Sequence, residues 1–181
     1  MASESLNESI YGIPLGDSDI APWPNHPAKV IFLDFVLNSR GILDYGDERI
    51  FDLDSVEALN NLLEQSNGLI VISSDWRIKR SLKEFAKILS ADGVNERKVI
   101  GKTPHIEDAE RGFEINAWLK EVPFQVESFV IIDDDKTIKM RKDQLVLTQE
   151  KIGFCNDLIV DCLDKLSRLV SYEWYPKTER G

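Results

Sequence analysis

The chain has 181 residues, of which 43% are hydrophobic, and its 32 acidic and 22 basic residues give a formal net charge of −10. This length suits one domain with tails, and the acidic balance argues against a broad nucleic-acid or anionic-membrane surface. No apolar run is long enough to span a bilayer, and the N-terminus lacks a signal-peptide pattern, so we expect a cytoplasmic protein.

Residues 1–28 are predicted to form an N-terminal arm or tail. They mix Ser, Asn, Asp, Gly and Pro, and the proline-rich stretch 21–27 cannot form a regular element. Tyr11, Ile13 and Trp23 are the side chains of this arm that could dock on the domain. We expect the folded domain to span residues 29–172 and a C-terminal tail to span residues 173–181.

Three short, continuously apolar runs predict strands that are buried on both faces, as in a parallel sheet. They cover residues 30–33, 69–72 and 129–132, and weaker strand candidates lie at residues 98–100 and 145–147. Helical patterns separate the runs. Strands that alternate with helices indicate an α/β fold: a doubly wound, Rossmann-like parallel sheet with helices on both faces.

Four helices are predicted between and after these strands. The first is expected to be capped by Asp54, and the second to close at Gly93. The third runs over residues 108–120 and buries Phe113 and Trp118. The last spans residues 156–170. A spacing of seven puts both cysteines of the chain on one side of a helix, where they pack rather than form a disulfide.

Each of the three strong strands ends in a residue that is useful for chemistry. Asp34 follows the first, Ser73 and Ser74 follow the second, and an acidic run at 133–135 follows the third. Ligands of parallel sheets bind at this edge, and gathered carboxylates favour a hard cation such as Mg²⁺. A carboxylate, a hydroxyl and a cation together can transfer phosphoryl groups. The alternative is that some of these side chains only cap the next helix.

Four segments resemble motifs of the haloacid-dehalogenase-like (HAD) superfamily. Residues 29–34 with 36–39 (KVIFLD and VLNS) resemble the first motif, and residues 130–135 (VIIDDD) resemble the fourth. Residues 70–77 (IVISSDWR) resemble a second motif that reads roughly LSSSWR in a bacterial subgroup. Residues 111–119 (RGFEINAWL) resemble the R..EI..WL segment of that subgroup, which includes the HAD domain of multidomain RNA-repair proteins.

The resemblance implies a HAD-like core with a minimal cap and a Mg²⁺-dependent phosphatase site. Asp34 would be the nucleophile and a metal ligand, and Ser73 or Ser74 would hydrogen-bond the phosphoryl group. Arg111 would neutralise phosphoryl charge. Two further carboxylates, Asp133 and Asp134, would hold Mg²⁺. For Trp76 and Arg77 we favour a structural role, with Trp76 in packing and Arg77 paired with the acidic strand ends.

The first motif departs from the family pattern. Members normally read Asp-x-Asp-Gly-Val, and here Asp34 is followed by Phe35, Val36 and Leu37. If the strand fixes the alignment, Asp34 is the nucleophile and the general acid is missing. If the VLNS segment fixes it, Asp34 takes the general acid's place and Phe32 the nucleophile's. The first alignment is preferred, because the apolar strand determines where its end lies.

The sequence therefore supports two hypotheses. The first is a Mg²⁺-dependent phosphohydrolase whose substrate is a phosphorylated small molecule or a nucleic-acid end. Losing the general acid would lower the rate by about 100- to 10,000-fold, unless Asp44 or Asp47 replaces it. The alternative is a catalytically impaired HAD-like domain that binds a ligand or a partner protein. No membrane partner is expected.

Overall fold

Five parallel strands form one sheet in the order β3-β2-β1-β4-β5 in the computed structural model, which describes residues 23–34, 36–37, 51–149 and 152–170. The strands are β1 (Ala28–Leu33), β2 (Leu69–Ile72), β3 (Val99–Lys102), β4 (Val126–Asp133) and β5 (Leu145–Leu147). The helices are α1 (Leu53–Ser66), α2 (Leu82–Ala91), α3 (Arg111–Glu121) and α4 (Ile159–Leu166). The predicted doubly wound α/β class is confirmed.

Two apolar cores lie on opposite faces of the sheet. Side chains alternate along a strand, so Ile31 and Leu33 of β1 enter one core while Val30 and Phe32 enter the other. The first core is closed by α1, α2 and α4, and the second by α3. Burial on both faces explains why the strands read as continuous apolar runs.

Several helix details differ from the prediction. The N-cap of α1 is Asp52, so Asp54 lies in the first turn and is not the cap. Helix α3 begins at Arg111, and Phe113 is 44% exposed, because the residues that meet the sheet are Ile115, Trp118 and Leu119. The predicted last helix is a 3₁₀ turn at Asn156–Leu158 followed by α4.

The two cysteines are free, but only one lies in a helix. Cys162 is buried in α4, whereas Cys155 precedes the 3₁₀ turn and is half-buried. The expectation that both share one helix side was therefore wrong.

Trp23 docks on the domain beside the second core. Its ring lies 6.3 Å from that of Trp118 and 5.6 Å from that of Phe124, measured between centroids. Tyr11 and Ile13, the other proposed docking residues, lie outside the described residues. Among the described residues, no helix is both long enough and apolar enough to cross a membrane.

Candidate functional site

The carboxyl ends of β1, β2 and β4 lie level with one another. Leu33 pairs with Ile72 on one side and with Ile132 on the other. The ladder continues one step further, since the Asp34 amide donates to the Ile132 carbonyl and the Ser73 amide to the Leu33 carbonyl, each at 3.0 Å. Asp34 and Ser73, together with Asp133 at the end of β4, therefore meet at one edge of the sheet.

Three carboxylates form an acidic cluster at this edge. One oxygen from each of Asp34, Asp133 and Asp134 lies within 4.8 Å of the others. Asp133 is fully buried, and burial together with the nearby charge of Asp34 raises its pKa to about 7, against the opposing effect of Arg111. An all-oxygen set of crowded, partly desolvated carboxylates has the donor chemistry that suits a hard divalent cation such as Mg²⁺.

Arg111, the first residue of α3, ties the cluster together. Its Nη1 lies 2.7 Å from Asp34 Oδ2 and 2.8 Å from Asp133 Oδ2, and its Nη2 lies 3.1 Å from Asp75 Oδ1. Burial lowers the pKa of this guanidinium, but the charges of Asp34 and Asp133 outweigh that effect and the net shift is upward. Arg111 thus stays a cation beside the acidic cluster.

The two serines after β2 have different surroundings. The Ser74 hydroxyl caps the following 3₁₀ turn by accepting from the Trp76 amide at 3.4 Å. The Ser73 hydroxyl is buried and has no hydrogen-bond partner among the described residues. A buried hydroxyl without a partner is costly, and it is available to a ligand's oxygen. The geometry therefore favours Ser73 over Ser74 as the phosphate-binding candidate.

The third aspartate of the acidic run has a structural role. Asp135 Oδ1 accepts from the Thr137 amide at 2.7 Å and from the Thr137 hydroxyl at 2.6 Å, and these bonds lower the pKa of Asp135. The Asp135 amide in turn donates to Asp133 Oδ1 at 2.9 Å, which orients the Asp133 carboxylate. Asp135 therefore stabilises the turn that follows β4.

Arg77 holds the site's loops rather than its acidic strand ends. Its buried guanidinium pairs with Glu114 of α3 and donates to the carbonyls of Ser73 and Ser74 after β2 and of Thr103 and Pro104 after β3. The predicted pairing with the strand-end aspartates was therefore wrong, apart from a 3.4 Å contact with exposed Asp75.

Glu114 and Asp75 were not predicted from the sequence as site residues. Glu114 pairs with Arg77, which follows β2, and its second oxygen accepts from the Ile106 amide in the segment after β3 at 2.9 Å. The only sequence signal for it was its place in the R..EI..WL segment, one helical turn after Arg111. Asp75 stands where the subgroup pattern LSSSWR has its third serine, and the pairing of Asp75 with Arg111 depends on contacts between segments that are 36 residues apart.

The residue two places after Asp34 cannot supply a proton. Val36 is buried in the first core, and its carbonyl accepts from the Phe154 amide at 2.8 Å. Gly153 permits this approach, since a Cβ there would lie 2.6 Å from the Val36 oxygen. Phe32 is also fully buried, against Trp118 and Phe129, which favours the alignment that makes Asp34 the nucleophile. Asp44 and Asp47 lie outside the described residues.

The fold and the site together define a class of proteins. Its members are parallel α/β domains in which carboxylates and a guanidinium lie together at the strand ends. The sequence profile described as the HAD domain in Swiss Army Knife RNA repair proteins matches residues 30–159, which is well over half of the chain. The chain belongs to this HAD family. No curated protein and no solved structure gave a significant match.

Proposed function

We propose that this domain is a metal-dependent phosphohydrolase that acts through an aspartyl-phosphate on Asp34. The observation that supports it best is the position of Arg111, whose Nη1 contacts both Asp34 and Asp133 at the end of the sheet. A nucleophilic carboxylate beside a fixed cation and a cluster of oxygen ligands is the arrangement that phosphoryl transfer needs.

Each residue has a distinct part in the proposed reaction. An oxygen of Asp34 attacks phosphorus, the bond from phosphorus to the leaving oxygen breaks, and water later hydrolyses the aspartyl-phosphate. The Ser73 hydroxyl donates to a phosphoryl oxygen, and Arg111 neutralises the charge on the group. Asp133 and Asp134, with Asp34, would hold Mg²⁺, which supplies further positive charge to the phosphoryl oxygens.

The proposed substrate is a phosphate monoester, and the family description favours a phosphorylated nucleic-acid end over a small metabolite as the first candidate. The net charge of −10 is compatible with recognition of an end rather than of a long stretch of backbone. The proposal keeps the cytoplasmic setting that the sequence predicts.

Hydrolysis of an aryl phosphate by the purified protein tests this function. We expect turnover with Mg²⁺, none with a chelator, and a fall to the background rate in Asp34→Asn. Asp92→Asn, which makes the same change at the end of α2, should keep the rate of the parent protein. Equal turnover in the parent and in Asp34→Asn would contradict the proposal.

One observation favours the alternative of a binding module. The buried Val36 stands where the family normally has its second aspartate, and losing a general acid slows such reactions by about 100- to 10,000-fold. If the folded protein hydrolyses neither an aryl phosphate nor a phosphorylated RNA end, while binding the RNA end with Mg²⁺, the binding-module function is the better account.

A further inference from the structure

Asp75 lies in the first turn of the 3₁₀ helix Asp75–Ile78, directly after the strand-end serines. Its side chain is 75% exposed, unlike those of Asp34 and Asp133. Val36 stands two residues after Asp34, where the family pattern has an aspartate. Asp75 is an additional carboxylate at a position where the LSSSWR pattern has serine. We propose that Asp75 is the general acid and base of this site, an inference that rests on the proposed phosphohydrolase function.

The first support for this role is the guanidinium that Asp75 shares with the nucleophile. Arg111 Nη1 contacts Asp34 Oδ2 at 2.7 Å, and its Nη2 contacts Asp75 Oδ1 at 3.1 Å. A phosphoryl group on Asp34 would therefore share the Arg111 guanidinium with the Asp75 carboxylate. Arg77 Nη1 contacts the same oxygen at 3.4 Å, so two anchored cations hold Asp75 at the rim of the site.

The second support is that the other described carboxylates near Arg111 are already engaged. Asp133 is buried, and its two oxygens accept hydrogen bonds from Arg111 and from the Asp135 amide. Asp134 belongs to the acidic cluster, and Asp135 caps its own turn. Glu114 is buried, pairs with Arg77 and accepts a hydrogen bond from the Ile106 amide. Asp75 alone among these combines contact with Arg111 and exposure to solvent, from which a substrate and a water molecule arrive.

The proposed proton transfers balance in two steps. In the first, Asp34 attacks phosphorus, the bond to the leaving oxygen breaks, and that oxygen takes the proton of the Asp75 carboxylic acid. In the second, the Asp75 carboxylate takes a proton from water, and the water oxygen attacks phosphorus. The bond from phosphorus to Asp34 then breaks, which releases inorganic phosphate and leaves Asp75 protonated for the next cycle.

Leaving-group dependence separates an acid from a residue that only positions Arg111. Nitrophenyl phosphate has a leaving group that departs without a proton, whereas phenyl phosphate needs one. We expect Asp75→Asn to lower kcat/KM for phenyl phosphate by about 100- to 10,000-fold and that for nitrophenyl phosphate much less. With nitrophenyl phosphate, the variant should also accumulate phosphate on Asp34, because no base activates water. Asp92→Asn is the matched control.

Other outcomes overturn the inference. Equal losses with both esters would mean that Asp75 only positions Arg111, and no loss with either would remove it from the reaction. If Asp44→Asn or Asp47→Asn selectively lowered kcat/KM for phenyl phosphate and Asp75→Asn did not, that other aspartate would be the general acid. If turnover were lost in Asp34→Asn but unchanged in Asp75→Asn, the proposed phosphohydrolase function would hold and the role of Asp75 would be refuted. No turnover in the parent protein would end both proposals.

Discussion

The proposed binding of Mg²⁺ should depend on pH through Asp133. Burial and the charge of Asp34 raise the pKa of Asp133 to about 7 in the metal-free protein. Below that pH the carboxyl group is protonated, so Mg²⁺ must displace a proton to bind. We expect the dissociation constant, measured by titration calorimetry, to rise by about tenfold per pH unit below 7 and to level off above it. Equal constants at pH 6 and pH 8 would contradict this.

Ser73 and Ser74 should respond differently to loss of the hydroxyl. The Ser73 hydroxyl has no partner among the described residues, so its removal should cost the fold little. Loss of its proposed bond to a charged phosphoryl group should lower kcat/KM by about 10- to 100-fold. In Ser74→Ala, the lost cap should lower the free energy of unfolding by about 1 kcal/mol. The two variants can be compared by aryl phosphate kinetics and urea unfolding. A larger activity loss in Ser74→Ala would reverse the assignment.

At the scale of elements, the buried pair of Arg77 and Glu114 joins α3 to the loops after β2 and β3. Breaking a buried ion pair leaves an unpaired charge, so Arg77→Met should lower the free energy of unfolding by about 3–5 kcal/mol. Glu114→Gln should cost less, and the double variant should cost less than the sum of the two single variants. Urea unfolding provides the measurement. A cost of Arg77→Met below about 1 kcal/mol would show that this pair does not hold the elements together.

The elements were predictable to different degrees. The apolar runs at 30–33, 69–72 and 129–132 predict β1, β2 and β4, because a strand buried on both faces needs apolar residues throughout. The helix ends were less certain, since Asp52 and Asp54 are both plausible caps and local chemistry does not distinguish them. The exposure of Phe113 depends on how α3 is rotated against the sheet, which the sequence around it does not determine.

The site could be predicted in outline, because strand ends of a parallel sheet converge and Asp34, Ser73 and Asp133 each end a strand. The pairing between segments was not predictable. The contact of Arg111 with Asp75 and that of Arg77 with Glu114 both depend on where α3 begins relative to the loop after β2. Those contacts arise from packing of distant segments, and no local pattern encodes them.

At the scale of the whole molecule, Trp23 joins the segment before β1 to the second core. Its ring packs on Trp118 and Phe124, so Trp23→Ala should lower the free energy of unfolding by about 2 kcal/mol. Trp23 and Phe124 precede β1 and β4, whereas the acidic cluster lies at the opposite ends of these two strands. Affinity for Mg²⁺ should therefore stay unchanged. Unchanged stability in urea would show that the contact with Trp118 contributes nothing.

In the proposed mechanism, Asp34 carries the phosphoryl group during turnover. Its most direct test is acid quenching of the protein during reaction with nitrophenyl phosphate and Mg²⁺, followed by peptide mass spectrometry. We expect a covalent phosphoryl group on the peptide that contains Asp34, absent with a chelator and absent from Asp34→Asn. Metal-dependent turnover that leaves no phosphoryl group on Asp34, or that places one on another residue, would contradict it.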